Sequence, residues 1–166
     1  MPEQEVVERA RKDKEEGKSP TTQAGEFVHE EIKHVREGKH GARSTKQAIA
    51  IGLSKARRAG VKLPVPPKGQ VTAKTRESAE RALQKGRAGA RRKPSKTRSK
   101  AIVGALKREG RAAASHAALA QQARSAARRR GPAARHRAAI KAVKTKGPVV
   151  RHRAAVKAAA TRKRAM

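Results

Sequence analysis

A chain of 166 residues with one Phe, no Tyr and no Trp has little from which to build a core. Most of its 36% hydrophobic residues are alanine, whose side chain buries little area. At roughly 25 cal/mol per Å² of apolar burial, alanine surfaces cannot offset roughly 1–2 kcal/mol of backbone ordering per residue. Any stable core is therefore expected to be small. The length allows one ordinary domain, but the composition argues against a large one.

Charge is the second constraint. The chain carries 44 Lys and Arg against 13 Asp and Glu, a formal +31. The excess is uneven: residues 1–40 are slightly acidic, whereas residues 64–166 hold only three acids, Glu77, Glu80 and Glu109. Such asymmetry separates a near-neutral N-terminal module from a polycationic tail. The stretch LPVPPKG at 63–69 puts three prolines within four residues, which ends any helix and favours an extended linker. The expected organisation is a helical module over 1–62, a Pro/Lys/Arg-rich linker with one short helix over 63–100, and a basic arm over 101–166.

Within the module, two helices are expected after a polar lead. Ser19 followed by Pro20 is a start signal, a hydroxyl cap and then a proline whose missing N–H costs nothing. Val28, Ile32 and Val35 recur at helical spacing with Phe27 alongside, and Gly38 is placed to end the helix. Ser44 or Thr45 caps a second helix with Ile49, Leu53 and Ala56 as its stripe, Arg57 and Arg58 in its last turn, and Gly60 as the stop. The hairpin so formed is small enough to need a partner or second copy for its stripes.

The arm is punctuated. Runs end in Gly at Gly110 and Gly131, Ser99 or Ser115 could cap the runs that follow, and AIVGALK at 101–107 loosely echoes AIAIGLSK at 48–55. Residues 131–146, GPAARHRAAIKAVKTK, are followed at once by a near copy at 147–162, GPVVRHRAAVKAAATR. On a helix, Arg137, Lys141 and Lys144 share one face, and Arg153, Lys157 and Arg164 make a similar one. Each Gly-Pro breaks the helix and restarts it with proline near its first position. The fold class expected is mainly α without sheet: an N-terminal helical hairpin, then a long, partly disordered basic tail with short Ala-rich helices. The basic linker 86–100 is expected to be disordered. Like-charge repulsion is expected to oppose the tail's helices until a polyanion neutralises it.

A block this basic makes nucleic acid the default partner. Without aromatic stacking residues, an RRM, OB-fold or cold-shock surface is disfavoured, so backbone binding to duplex DNA is expected ahead of structured or ribosomal RNA. Repeating a weak phosphate-binding unit multiplies affinity along a lattice ligand. The candidate contacts are Arg91, Arg92, Lys93, Arg128, Arg129, Arg130, Arg135, Arg137, Lys141, Lys144, Arg151, Arg153, Lys157, Arg162, Lys163 and Arg164, with Lys46, Lys55, Arg57 and Arg58 as additional candidates. Residues 19–60 are expected to serve self-association or protein docking, which also allows an adaptor role.

Enzymatic chemistry is not expected. No phosphate-binding loop, nucleophile elbow or placed acid pair is present. His29 and His34 are five apart, about 140° around a helix, whereas a zinc-protease helix needs i and i+4. Glu30 and His34 are expected to form a surface pair, and His136 and His152 lie between arginines that repel a divalent cation. Neither a metal nor a cofactor is expected. Absent cysteine excludes disulfides and thiol chemistry. With no signal-like or membrane-spanning stretch, the expectation is a cytoplasmic, nucleoid-associated protein without membrane contact.

The stretch EGKSPTTQAGEFVHEEIKHVREGKHGARSTKQAIAIGLSKARRAG, residues 16–60, resembles a family of short, basic, functionally uncharacterised bacterial proteins. That resemblance implies a bacterial origin and no particular activity. The tail is similar in composition to those of linker histones and bacterial histone-like proteins. It departs from them in using arginine as freely as lysine and in lacking a repeated Ser/Thr-Pro-Lys motif.

Overall fold

The computed structural model describes residues 3–88 and 95–164. Among these, six α-helices follow in order: α1 (Gln4–Glu15), α2 (Pro20–Arg36), α3 (Thr45–Arg58), α4 (Ala73–Arg87), α5 (Lys96–Lys107) and α6 (His116–Arg164). A 3-10 turn at Ala112–Ala114 precedes α6, and an isolated bridge between Lys68 and Val71 is the sole β-type pairing among the described residues. The mainly helical, sheet-free class is as expected. Two compact units result, Met1–Ala120 and Gln121–Met166. The expected division points, 62/63 and 100/101, both lie inside the first.

The caps read from sequence are in place. Ser19 accepts the backbone N–H of Thr22 with Pro20 behind it, Ser44 accepts that of Gln47, and Gly38 and Gly60 take positive φ beyond the ends of α2 and α3. The polar lead, for which no helix was expected, forms helix α1. Its Val6 and Ala10 are spaced i, i+4 and bury against α2, a stripe too narrow to stand out among the surrounding charges. Val6 and Ala10 join Ala24, Phe27, Ala56, Val61 and Leu63 in one cluster, so the Pro-rich stretch begins in the core. A second cluster gathers Ile32, Val35, Ala42, Ala48 and Ala114.

The buried seam of α3 differs from the stripe expected. Thr45, Ala48, Gly52 and Ala56 face inward, whereas Ile49 and Leu53 are half-buried. Small residues win because α2 and α3 pack closely: a Cβ on Gly52 would lie 2.7 Å from Val28 Cα. Gly86 plays the same part where α4 meets the end of α3, since a Cβ there would overlap the Arg57 carbonyl. The chain returns once more after α5. Gly41 N–H donates to the Leu106 carbonyl (2.8 Å) and Ala42 N–H to that of Gly110 (3.1 Å). Arg36 Nε donates to the Ala114 carbonyl (2.9 Å) and Thr45 Oγ1 to that of Ala113 (2.7 Å). Residues 106–114 thereby close the α2–α3 connection.

The tail corrects the expectation of disorder. Helix runs from His116 to Arg164, interrupted at Gly131 (φ 73°, ψ 169°) and Gly147 (φ 65°, ψ 173°), each followed by proline. In the expected disordered linker 86–100, residues up to Arg87 end α4 and Lys96 begins α5, with Ser95, not Ser99, at its start. Ser115 does cap α6, accepting the Ala118 N–H at 3.2 Å. Alanine, lysine and arginine are the best helix formers available, and their summed propensity prevails over like-charge repulsion. No helix among the described residues is long and apolar enough to cross a membrane.

Candidate nucleic-acid interface

Between His116 and Arg164 the sequence places 15 Lys and Arg and no acid. The two glycine breaks divide this stretch into rods 116–130, 132–146 and 148–164. At about 1.5 Å per residue each is some 22–26 Å long. Every lysine and arginine from Arg124 to Lys163 is exposed, and among the described residues none of them pairs with a carboxylate. Arg128–Arg130, Arg135, Arg137, Lys141, Lys144, Arg151, Arg153, Lys157, Arg162 and Lys163 thus all stand on helical rods facing solvent. Arg164 closes the last rod. Arg91, Arg92 and Lys93 lie outside the described residues.

Local hydrogen bonds trim each rod. Arg135 Nε donates to the Gly131 carbonyl at 3.3 Å, and Thr145 and Thr161, equivalent in the two copies, donate their hydroxyls to the carbonyls of Lys141 and Lys157. At the second break, Val143 and Lys146 of one rod and Arg151 and His152 of the next line a common shallow notch. Lys146 and Arg151, one on each side of Gly147, are both among the notch's lining residues. The Gly147 conformation is one that only glycine adopts without strain, and the proline that follows disfavours a helical escape. Gly147→Ala should cost about 1–3 kcal/mol in that geometry. Spin labels at Ile140 and Val156 should report a changed distance distribution; an unchanged one would show that Gly147 does not set the break.

In the first unit some cations pair with acids. Arg9 Nε lies 2.8 Å from Glu26 Oε2 and Lys18 Nζ 2.7 Å from Asp13 Oδ1. Of the four additional candidates, Lys46 and Arg58 are exposed, but Lys55 and Arg57 turn inward. Arg57 is 6% exposed and donates to the Pro64 carbonyl at 3.1 Å, fixing the Pro-rich stretch, and burial pulls its guanidinium below its ordinary pKa. Lys55 points at two buried carboxylates, 2.7 Å from Glu31 Oε2 and 3.7 Å from Glu30 Oε2.

Those carboxylates belong to a polar cluster that helical spacing alone did not disclose. Glu30, Glu31 and His34 are buried on α2, so Glu30 and His34 are not the surface pair expected. His34 Nε2 lies 2.9 Å from Glu3 Oε1, and His40 Nε2 lies 3.3 Å from Glu31 Oε1. Hydrogen bonds from His34 and then Lys39 hold the Glu3 carboxyl below its usual range. His29 is exposed and outside the cluster. The sequence signal was the pairing of Glu31 with His34 at i, i+3, which shares a helix face as His29 and His34 do not.

Neither a curated protein nor a solved structure matches the chain. Residues 11–69, which hold α2, α3 and the buried cluster except Glu3 but neither α4 nor the arm, match the model of a family described as a family of unknown function (DUF6496).

Proposed function

We propose that the chain binds duplex DNA without sequence specificity through the rods of residues 121–164, as a nucleoid-associated protein that bridges or compacts it. The observation that carries this reading is the contrast within one molecule. Among the described residues, the first unit pairs eight of its lysines and arginines with carboxylates, including Arg9, Lys18 and Lys55, whereas all fourteen from Arg124 to Lys163 are exposed and none pairs with an acid. Unpaired lysines and arginines on rods offer phosphate contacts whose affinity comes from counterion release. The Gly147 notch adds a place where cations from two rods can meet one phosphate group. The Met1–Ala120 unit supplies the second valence that bridging requires, through self-association or a protein partner.

Fluorescence anisotropy across salt tests this. Labelled duplexes of unrelated sequence should bind alike, with log K falling at about −0.9 per phosphate contact. Binding that depends strongly on sequence, or barely on salt, would overturn the reading. A structured RNA titrated in parallel separates the RNA-binding alternative by the affinity ratio. An adaptor role draws support from α5, where Ile102 is 60% and Val103 43% exposed. It would show as a protein partner retained after removal of the arm.

A further inference from the structure

Glu31 is the most unusual side chain of the first unit. It is fully buried, and neither carboxylate oxygen has a hydrogen-bond partner; Glu30 Oε2 is in the same condition. The groups near Glu31 approach as charges rather than in hydrogen-bonding geometry: Lys55 at Oε2 and His40 at Oε1. A buried carboxylate left this way is costly unless something positive completes its surroundings.

The ring of His40 sharpens the point. Its Nδ1 lies 3.0 Å from the Gly41 carbonyl, which can only accept, so Nδ1 carries the hydrogen. In the neutral ring, Nε2 then presents a lone pair to Glu31 Oε1 at 3.3 Å. Two acceptors face each other, and a cation between them resolves the contact. A ring nitrogen tied to a backbone carbonyl while the other faces outward is also how metal-bound histidines are oriented.

We propose that Glu31, His34 and His40 form a binding site for a divalent transition-metal ion of the zinc class. One ligand atom from each lies within 4.8 Å of the others, and Glu3, Glu30 and His34 form a second such group sharing His34. Two imidazoles and a carboxylate suit Zn²⁺, Co²⁺ or Ni²⁺ and are poor ligands for Mg²⁺ or Ca²⁺. Glu3 or Glu30 is placed to supply a fourth ligand. Lys55 does not stand in the way, because it approaches Glu31 from the other oxygen. Its charge and that of Lys39 leave Glu3, Glu30 and Glu31 with one net negative charge, so a dication is attracted. The bound ion joins α2 to the connection that carries His40, and so stabilises the unit.

The test uses the full chain without an affinity tag. Histidine ring resonances are followed by long-range ¹H–¹⁵N spectra as Zn²⁺ is added to one equivalent. His34 and His40 should shift together while His29, His116, His136 and His152 stay in place. Shifts confined to the other four histidines, or no shift at one equivalent, overturn the proposal without any variant. Competition against a chromophoric chelator should then show His40→Ala binding Zn²⁺ at least about 10-fold more weakly, with His29→Ala unchanged. Equal affinity for His40→Ala and the native chain would also overturn it.

Discussion

Replacing Arg137, Lys141 and Lys144 together by glutamine should weaken duplex binding at physiological salt by roughly 100-fold and flatten the salt slope by nearly 3. The three residues are exposed, lie on one face of the middle rod, and pair with no acid among the described residues. Each phosphate they contact contributes about 0.9 to the slope. At 0.15 M salt one such contact is worth roughly five-fold in affinity, and three multiply. Glutamine keeps the helix propensity, so circular dichroism should not change. The same triple change on well-paired cations of the first unit, such as Arg9 and Lys18, should leave the slope nearly as it was. A loss of affinity with no change of slope would mean that the three residues act through shape, and would sink the electrostatic account.

The second large effect belongs to the core. Phe27→Ala should destabilise the Met1–Ala120 unit by about 3–5 kcal/mol. Phe27 is the chain's single aromatic residue and is fully buried. It is packed in a cluster otherwise made of Val6, Ala10, Ala24, Ala56, Val61 and Leu63, none of which is large enough to fill the space it leaves. Small domains are stable by only about 5–15 kcal/mol, so a large part of the unit's stability is at stake. Hydrogen exchange of α2 and α3 amides would measure it. Because the arm forms its own unit, the duplex salt slope should survive the substitution. A cost below about 1 kcal/mol would show that the cluster is not what holds these helices.

What could be read ahead of the structure was local. Ser19-Pro20, Ser44, Gly38 and Gly60 mark helix ends by chemistry that involves only a few neighbouring residues, and the structure places them there. What escaped depends on contacts distant in sequence. Gly52 and Gly104 occupy matching places in the two echoing phrases, yet Gly52 presses on Val28 while Gly104 has open space around it. Only the packing of α2 on α3 tells them apart. The hydrogen bonds from Gly41 and Ala42 to the carbonyls of Leu106 and Gly110 join backbone groups, which no side-chain pattern announces. The buried cluster was hidden for a related reason: Glu30, Glu31 and Lys55 are residues that usually face water, and it is their mutual placement that takes them inside. In the arm, the breaks were legible from Gly-Pro, but the balance of propensity against repulsion was not.

The breaks also settle how the arm can grow. In an unbroken α-helix, residues sixteen apart are rotated by about 160°, so Arg153 would emerge on nearly the opposite side from Arg137. Tandem copying of a sixteen-residue unit would then scatter its charges around the rod. With Gly147 out of helical geometry, the second copy takes its angular phase from the break and not from the length of the first. A duplication bounded by Gly-Pro can thus be inherited as a finished part, and arms of different length can arise by gain or loss of whole units without re-tuning any residue inside them.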